Sequence, residues 1–274
     1  MYFIELLLSM NCNQKCYYCD IKEVNEEVKI DVDFLKYSLN CFNTDLMVEL
    51  CGGEPGLVSN LDDVYKTIYN TKHVKKIQIM SNGLVRLRDF DWLNNVYYNE
   101  HLIFDIIDKD IVKFYNLHFD EVKNRKYVIV TTENVVNSII KNYSFFKDNG
   151  FLRDIFWYKI IKKKAFNIEN MKTFSKLLNI RLYDPTIKEI ELCSMCPPQP
   201  AIDFDSKRLL HCAIFPKECK SYELNEENCL KLMKCEFKDY NICKKCYTID
   251  YNNKIQQIVK CKMGKYINRG YLNV

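Results

Sequence analysis

Short apolar runs along the chain alternate with stretches in which apolar residues recur every three or four positions. The first run, Tyr2 to Leu8, carries a single charge and predicts a buried strand. Val32 to Phe42 places Phe34, Leu35, Leu39 and Phe42 at helical spacing, with Asp31 or Asp33 as an N-cap. A second strand is expected at Leu46–Leu50, then a helix over Asn60–Asn70 with Leu61, Val64, Tyr65 and Ile68 on one face. Further strands are expected at Lys76–Met80, Leu102–Ile107, Tyr127–Thr131 and Asp154–Ile160. Helix-like stretches run from Asn134 to Phe146 and from Asn167 to Leu178. Strands alternating with helices predict a parallel α/β sheet. Asp184-Pro185 makes a turn that serves as a domain boundary, giving a core over 1–185 and a second unit over 186–274.

Composition narrows the class. A chain of 274 residues that is 48% hydrophobic can bury a sizeable core, and it has no apolar run long enough to span a membrane. Tyr2–Leu8 lacks a preceding basic stretch and leads straight into a cysteine-rich loop, so it does not read as a signal peptide. Fourteen cysteines then argue for metal or cluster binding in a reducing cytoplasm, not for disulfides. The net charge of +4 allows a polyanionic partner without implying one, and nucleic acid is not indicated.

Candidate chemistry concentrates at the end of the first strand. Cys12, Cys16 and Cys19 fall at C-x-x-x-C-x-x-C spacing, with Tyr18 just before the last. Three thiolates on one loop suit an iron–sulfur cluster or zinc better than any hard cation. The second strand runs into Gly52-Gly53-Glu54-Pro55. Paired glycines let a backbone approach a ligand closely, and a carboxylate or carbonyl there can accept from an ammonium. The two motifs together resemble the signatures of the radical S-adenosylmethionine (radical SAM) enzymes, namely C-x-x-x-C-x-aromatic-C and GGEP.

That resemblance implies a partial (β/α)6 TIM-like barrel in which three cysteines hold a [4Fe–4S] cluster and S-adenosylmethionine (SAM) binds at the strand C-termini. It implies an enzyme that cleaves SAM reductively, draws electrons from a flavodoxin or ferredoxin, and abstracts hydrogen from a peptide or small-molecule substrate. Tyr18, Gly52, Gly53, Glu54, Pro55, Ser81, Asn82 and Asp105 are the SAM-site candidates it suggests, with Asp108 beside Asp105. Ser81-Asn82-Gly83 is similar to the family's Thr-Asn-Gly turn, although an ordinary strand-to-helix turn would also use these residues. Thr131, Thr132 and Asn134 could line a substrate cavity, while His73, His101 and His118 show no ligand spacing. Lys162 to Lys164 read as a solvated face. With 11 residues before Cys12, the leader-binding domain of many peptide-modifying relatives is expected to be absent.

The C-terminal unit carries Cys193, Cys196, Cys212, Cys219, Cys229, Cys235, Cys243, Cys246 and Cys261. Two C-x-x-C pairs, Cys193/Cys196 and Cys243/Cys246, would suffice for a zinc ribbon. Ile202 to Cys212 reads as a β-hairpin ending in a cysteine, and hairpin and pairs together are similar to the Twitch and SPASM extensions of radical SAM enzymes. This implies an auxiliary [4Fe–4S] cluster on Cys193 or Cys196, Cys212, Cys243 and Cys246. The C-x5-C-x3-C continuation of full SPASM domains is missing, but Cys219, Cys229, Cys235 and Cys261 remain for a second cluster. Cys41 and Cys51 read as small buried hydrophobes.

Overall fold

The computed structural model describes residues 1–14, 27–85, 87, 95–99, 125–131, 133–148, 155–160, 168–177, 200–211, 220–234 and 236. Six parallel strands form in chain order: β1 (Tyr2–Ser9), β2 (Leu46–Gly52), β3 (Val74–Ser81), β4 (Asn95–Asn99), β5 (Arg125–Thr131) and β6 (Ile155–Ile160). Every residue of β1 is buried, as expected of a parallel strand covered on both faces. Its even-numbered side chains, Tyr2, Ile4, Leu6 and Leu8, join Val48, Leu50, Ile77 and Ile79 in the main core. Helices α1 (Val32–Asn40) and α2 (Leu61–Tyr69) close that core with Leu35, Leu39, Val64, Tyr65 and Ile68. Each such aliphatic side chain contributes about 1.5–3 kcal/mol on full burial. Asp31 caps α1, its Oδ1 accepting the Phe34 N–H at 3.0 Å.

Two expectations need correction. The place beside β3 is taken by Asn95–Asn99, whereas Leu102–Ile107 lies outside the described residues. The run at 102–107 is the more apolar of the two. The Val-Tyr-Tyr centre of β4 has the β-branched and aromatic character that sheet packing favours, but its flanking asparagines hide it from a hydropathy reading. The helix expected over Asn134–Phe146 is divided into α3 (Glu133–Lys141) and α4 (Tyr143–Asp148). At the break, the Asn142 side chain and the Asn142 N–H both donate to the Ser138 carbonyl, at 3.0 and 2.9 Å. Helix α5 (Ile168–Leu177) follows β6.

The C-terminal hairpin continues this same sheet. Strand β7 (Ala201–Asp203) pairs in parallel with β1, and β8 (Arg208–Leu210) and β9 (Ser221–Glu223) extend the sheet antiparallel. The strand order among the described residues is therefore β6-β5-β4-β3-β2-β1-β7-β8-β9. Helix α6 (Glu226–Met233) inserts Cys229 into the main core. Burial pushes the Cys229 thiol far up and raises that of Cys41, which is hydrogen-bonded to it. Cys229 is thus a core side chain beside Cys41, not a spare ligand for a second cluster.

Candidate active site

β1 and β2 end side by side, with Ser9 paired to Gly52. Beyond them the Gly53 N–H donates to the Ser9 carbonyl at 2.7 Å and the Glu54 N–H to the Asn11 carbonyl at 2.8 Å. The two backbones touch. A Cβ on Gly53 would lie 1.8 Å from the Asn11 oxygen, and one on Gly52 would lie 2.5 Å from the Ser9 oxygen. Gly52 also adopts φ +116°, which side chains disfavour. The close approach expected at this glycine pair is therefore made to the start of the cysteine loop.

The far end of that loop is tied to the same turn. Val28 bridges Val58, and the Ser59 N–H donates to the Val28 carbonyl at 2.8 Å. Asn60 grips Ile30 through two 2.8 Å bonds, accepting its N–H and donating to its carbonyl. Pro55 opens a short 3-10 turn (Pro55–Leu57) where its missing N–H costs nothing. On the other side, the Met10 N–H donates to Asp205 Oδ2 at 3.0 Å, so the β7–β8 turn also braces the loop's start. Lys207 pairs with Asp31 at 2.7 Å across the same junction.

Glu54 is 2% exposed, and its carboxylate is well supplied with donors. Oε1 accepts from the Gly56 N–H and the Ser81 hydroxyl, both at 2.9 Å, and Oε2 accepts from the Asn82 N–H at 2.7 Å. The side chain thus clamps the GGEP turn to the end of β3. Burial raises its pKa above the ordinary value, and the three donors pull it back. A folded state that holds this proton more tightly than the unfolded chain loses stability as pH rises through the window above about 4.5. In Glu54→Gln the amide must turn an NH2 towards one of these donors, so a destabilisation of about 1–3 kcal/mol is expected in denaturant melts. The gap to wild type should narrow as pH rises from 5 to 8, because only wild type ionises; a widening gap would contradict the direction of the shift.

Asn82 carries the clamp on to Cys12. Its Nδ2 lies 2.6 Å from Asn13 Oδ1 and 3.8 Å from Cys12 Sγ, and its Oδ1 accepts the Leu84 N–H at 2.9 Å. Cys12, Gly52, Gly53, Glu54, Pro55, Ser81 and Asn82 are therefore gathered at one point. Cys16, Tyr18, Cys19, Asp105, Asp108, Thr132, Lys162 to Lys164, Cys193, Cys196, Cys212, Cys243 and Cys246 lie outside the described residues, as do His101 and His118. His73 ties β3 to α1 through Leu39, in keeping with a structural role. A buried sulfur that receives an amide N–H is suited to a thiolate and hence to a soft metal centre, so Cys12 fits the iron–sulfur group that the motif implies.

A row of polar residues on the face opposite the helices escaped the sequence reading. Glu5, Glu49 and Gln78 are aligned across β1, β2 and β3, and all are buried. Gln78 donates to Glu49, and Cys51 Sγ lies 3.7 Å from Glu5 Oε2. Glu5, Glu49 and Cys51 hold one ligand atom each within 4.8 Å of the others. The signal available beforehand was a charge in each of the two apolar runs, which in a two-faced parallel strand must be buried.

No family model matches the chain. Over 161 residues it is 26% identical to the GTP 3′,8-cyclase of Synechocystis sp., covering 54% of this chain and 42% of that protein. The chain thus spans less than half the length of this curated relative. Among solved structures, anSMEcpe with bound AdoMet superposes with a TM-score of 0.56 at 16% identity, over 92% of this chain and 87% of that one. SuiB of Streptococcus suis bound to precursor peptide SuiA gives 0.55 at 14%, over 81% of this chain and 62% of SuiB. The α/β fold with its parallel sheet is the fold of these structures.

Proposed function

We propose that this chain is a radical SAM enzyme that holds a [4Fe–4S] cluster on Cys12, Cys16 and Cys19 and oxidises or crosslinks a ribosomally made peptide. When bound, cluster and SAM supply a 5′-deoxyadenosyl radical that takes a hydrogen atom from the substrate. The chain's own residues hold and shield. The observation that carries the reading is the junction at which the glycine turn, Glu54 and Asn82 fix Cys12. We assign SAM to the strand ends around Gly53, Ser81 and Asn82, the side on which parallel barrels bind ligands, and keep Tyr18 and Asp105 as further candidates from the motif resemblance. A flavodoxin or ferredoxin is the proposed electron donor. The peptide reading is supported by SuiB, whose structure is bound to a precursor peptide. The match to a GTP 3′,8-cyclase, named for a small-molecule substrate, keeps open a second reading in which the substrate is a small molecule, as for an oxidoreductase of the alcohol dehydrogenase type.

The test is anaerobic reconstitution followed by reduction in the presence of SAM, with 5′-deoxyadenosine measured by mass spectrometry. Adding a deuterated peptide encoded beside the gene should move deuterium into 5′-deoxyadenosine. Transfer from a deuterated nucleotide or sugar instead would favour the second reading, and no 5′-deoxyadenosine from an iron-replete protein would sink both.

The auxiliary [4Fe–4S] cluster, on Cys193 or Cys196 with Cys212, Cys243 and Cys246, belongs to the same proposal, as does the division at residue 185. Its support is the hairpin. Ala201 pairs with Leu210, so the segments leading to Cys196 and Cys212 leave from the same open end. Strands of three residues put that end on the order of 10 Å from the turn that braces Met10. Cys212→Ala is expected to remove about four iron atoms and to abolish substrate turnover while SAM cleavage partly survives. Stoichiometric zinc, with iron content indifferent to the substitution, would replace the auxiliary cluster with a zinc site.

A further inference from the structure

We propose that Asn82 is a positioning residue for the metal centre, its side-chain amide donating an N–H···S hydrogen bond to the Cys12 sulfur and so setting the reduction potential of the cluster bound there. The inference rests on the assignment of Cys12 as a cluster ligand made above.

The amide orientation is fixed from both ends. Oδ1 accepts the Leu84 N–H at 2.9 Å, and a flipped amide would set NH2 against that donor. Nδ2 is therefore the nitrogen, and its two hydrogens face the two acceptors already described, Asn13 Oδ1 at 2.6 Å and Cys12 Sγ at 3.8 Å. The main chain is held as well, because the Asn82 N–H donates to Glu54 Oε2 at 2.7 Å. Asn82 and Cys12 are 8% and 9% exposed, so little water competes for the contact. Residue 82 reaches residue 12 only because β1, β2 and β3 lie side by side with their C-terminal ends together.

A donor aimed at a ligating thiolate withdraws negative charge from sulfur, and the reduced cluster, which carries one more electron, gains most from it. The potential is thereby raised and the reducing electron is easier to deliver. Glu54 orients Asn82, and Asn82 orients Cys12.

The experiment is a redox titration of the reconstituted full chain, followed by electron paramagnetic resonance without SAM, on wild type, Asn82→Ala, Asn82→Asp and Asn13→Ala. Iron per chain is measured alongside. Asn82→Ala and Asn82→Asp should both show a more negative midpoint than wild type. Asn13→Ala removes the neighbouring acceptor but not the bond to sulfur, and its midpoint should stay at the wild-type value. Wild-type midpoints in both Asn82 variants would overturn the inference and leave the proposed function standing. An equal shift in Asn13→Ala would trace the effect to loop geometry and overturn it too. Asn82→Asp keeps the shape and the Leu84 bond while adding a negative charge that also lowers the midpoint, so a wild-type midpoint in it overturns the inference even if Asn82→Ala fails to retain iron. Loss of iron from both would make Asn82 merely structural and would overturn the tuning role. A wild-type chain that assembles no cluster would end this inference and the assignment of Cys12 together.

Discussion

Replacing Cys12 by alanine is expected to remove the iron of the N-terminal loop and bring 5′-deoxyadenosine formation down to the background of cluster-free protein. A cubane held by three thiolates has no ligand to spare, and two thiolates on a loop hold it poorly. The change itself is small for the fold. Cys12 sits at the edge of the core at 9% exposure, and alanine fits the space it leaves. Iron should therefore fall while the melting transition stays close to wild type, which separates a lost ligand from a lost structure. Cys41→Ala supplies the contrast. Its thiol is buried beside Cys229 and resists ionisation, so the substitution should cost stability and leave loop iron intact. Equal iron loss in both variants would mean that Cys12 acts through stability and is not a ligand.

Gly53→Val should do comparable damage by a different route. A Cβ at this position has no space, because it would fall within bonding distance of the Asn11 carbonyl. The obstacle is backbone, which cannot rotate away as a side chain can. Either the GGEP turn lifts off or residues Asn11 and Cys12 move, and in both cases the bonds from Gly53 to Ser9 and from Glu54 to Asn11 are broken. Overpacking of this kind costs on the order of 1–3 kcal/mol. The larger consequence is for the site, since Cys12 is displaced from its partners. Iron content and SAM cleavage are expected to fall together, with the melting temperature lowered. A variant with full iron and only weakened SAM binding would show that the glycine serves the ligand alone.

Local chemistry made much of this protein legible beforehand. Asp31 announces α1 because a carboxylate before a helical apolar pattern can satisfy a free N–H, and Asp31 does so. The continuous apolar run Tyr2–Leu8 announces a strand buried on both faces, since alternation is lost when neither face meets water. The cysteine loop and the GGEP turn each announce themselves by residue type and spacing at the end of an expected strand. These features depend on residues within one or two turns of chain.

Tertiary structure decided what those residues touch. Gly52 and Gly53 were expected to admit a ligand, and it is the backbone of Ser9 and Asn11 that lies against them, a contact between segments some 42 residues apart. The Glu54 carboxylate is engaged by Ser81 and Asn82 from β3, and the same Asn82 reaches back to Cys12. Asn95–Asn99, not an apolar run, forms the strand between β3 and β5, and Glu5, Glu49 and Gln78 came into line only through the register of three strands. A pattern of side chains reports what a segment prefers by itself. Which segment fills a slot in a sheet, and which polar groups then face each other, depends on strand order and register, and these are set by packing the whole core at once.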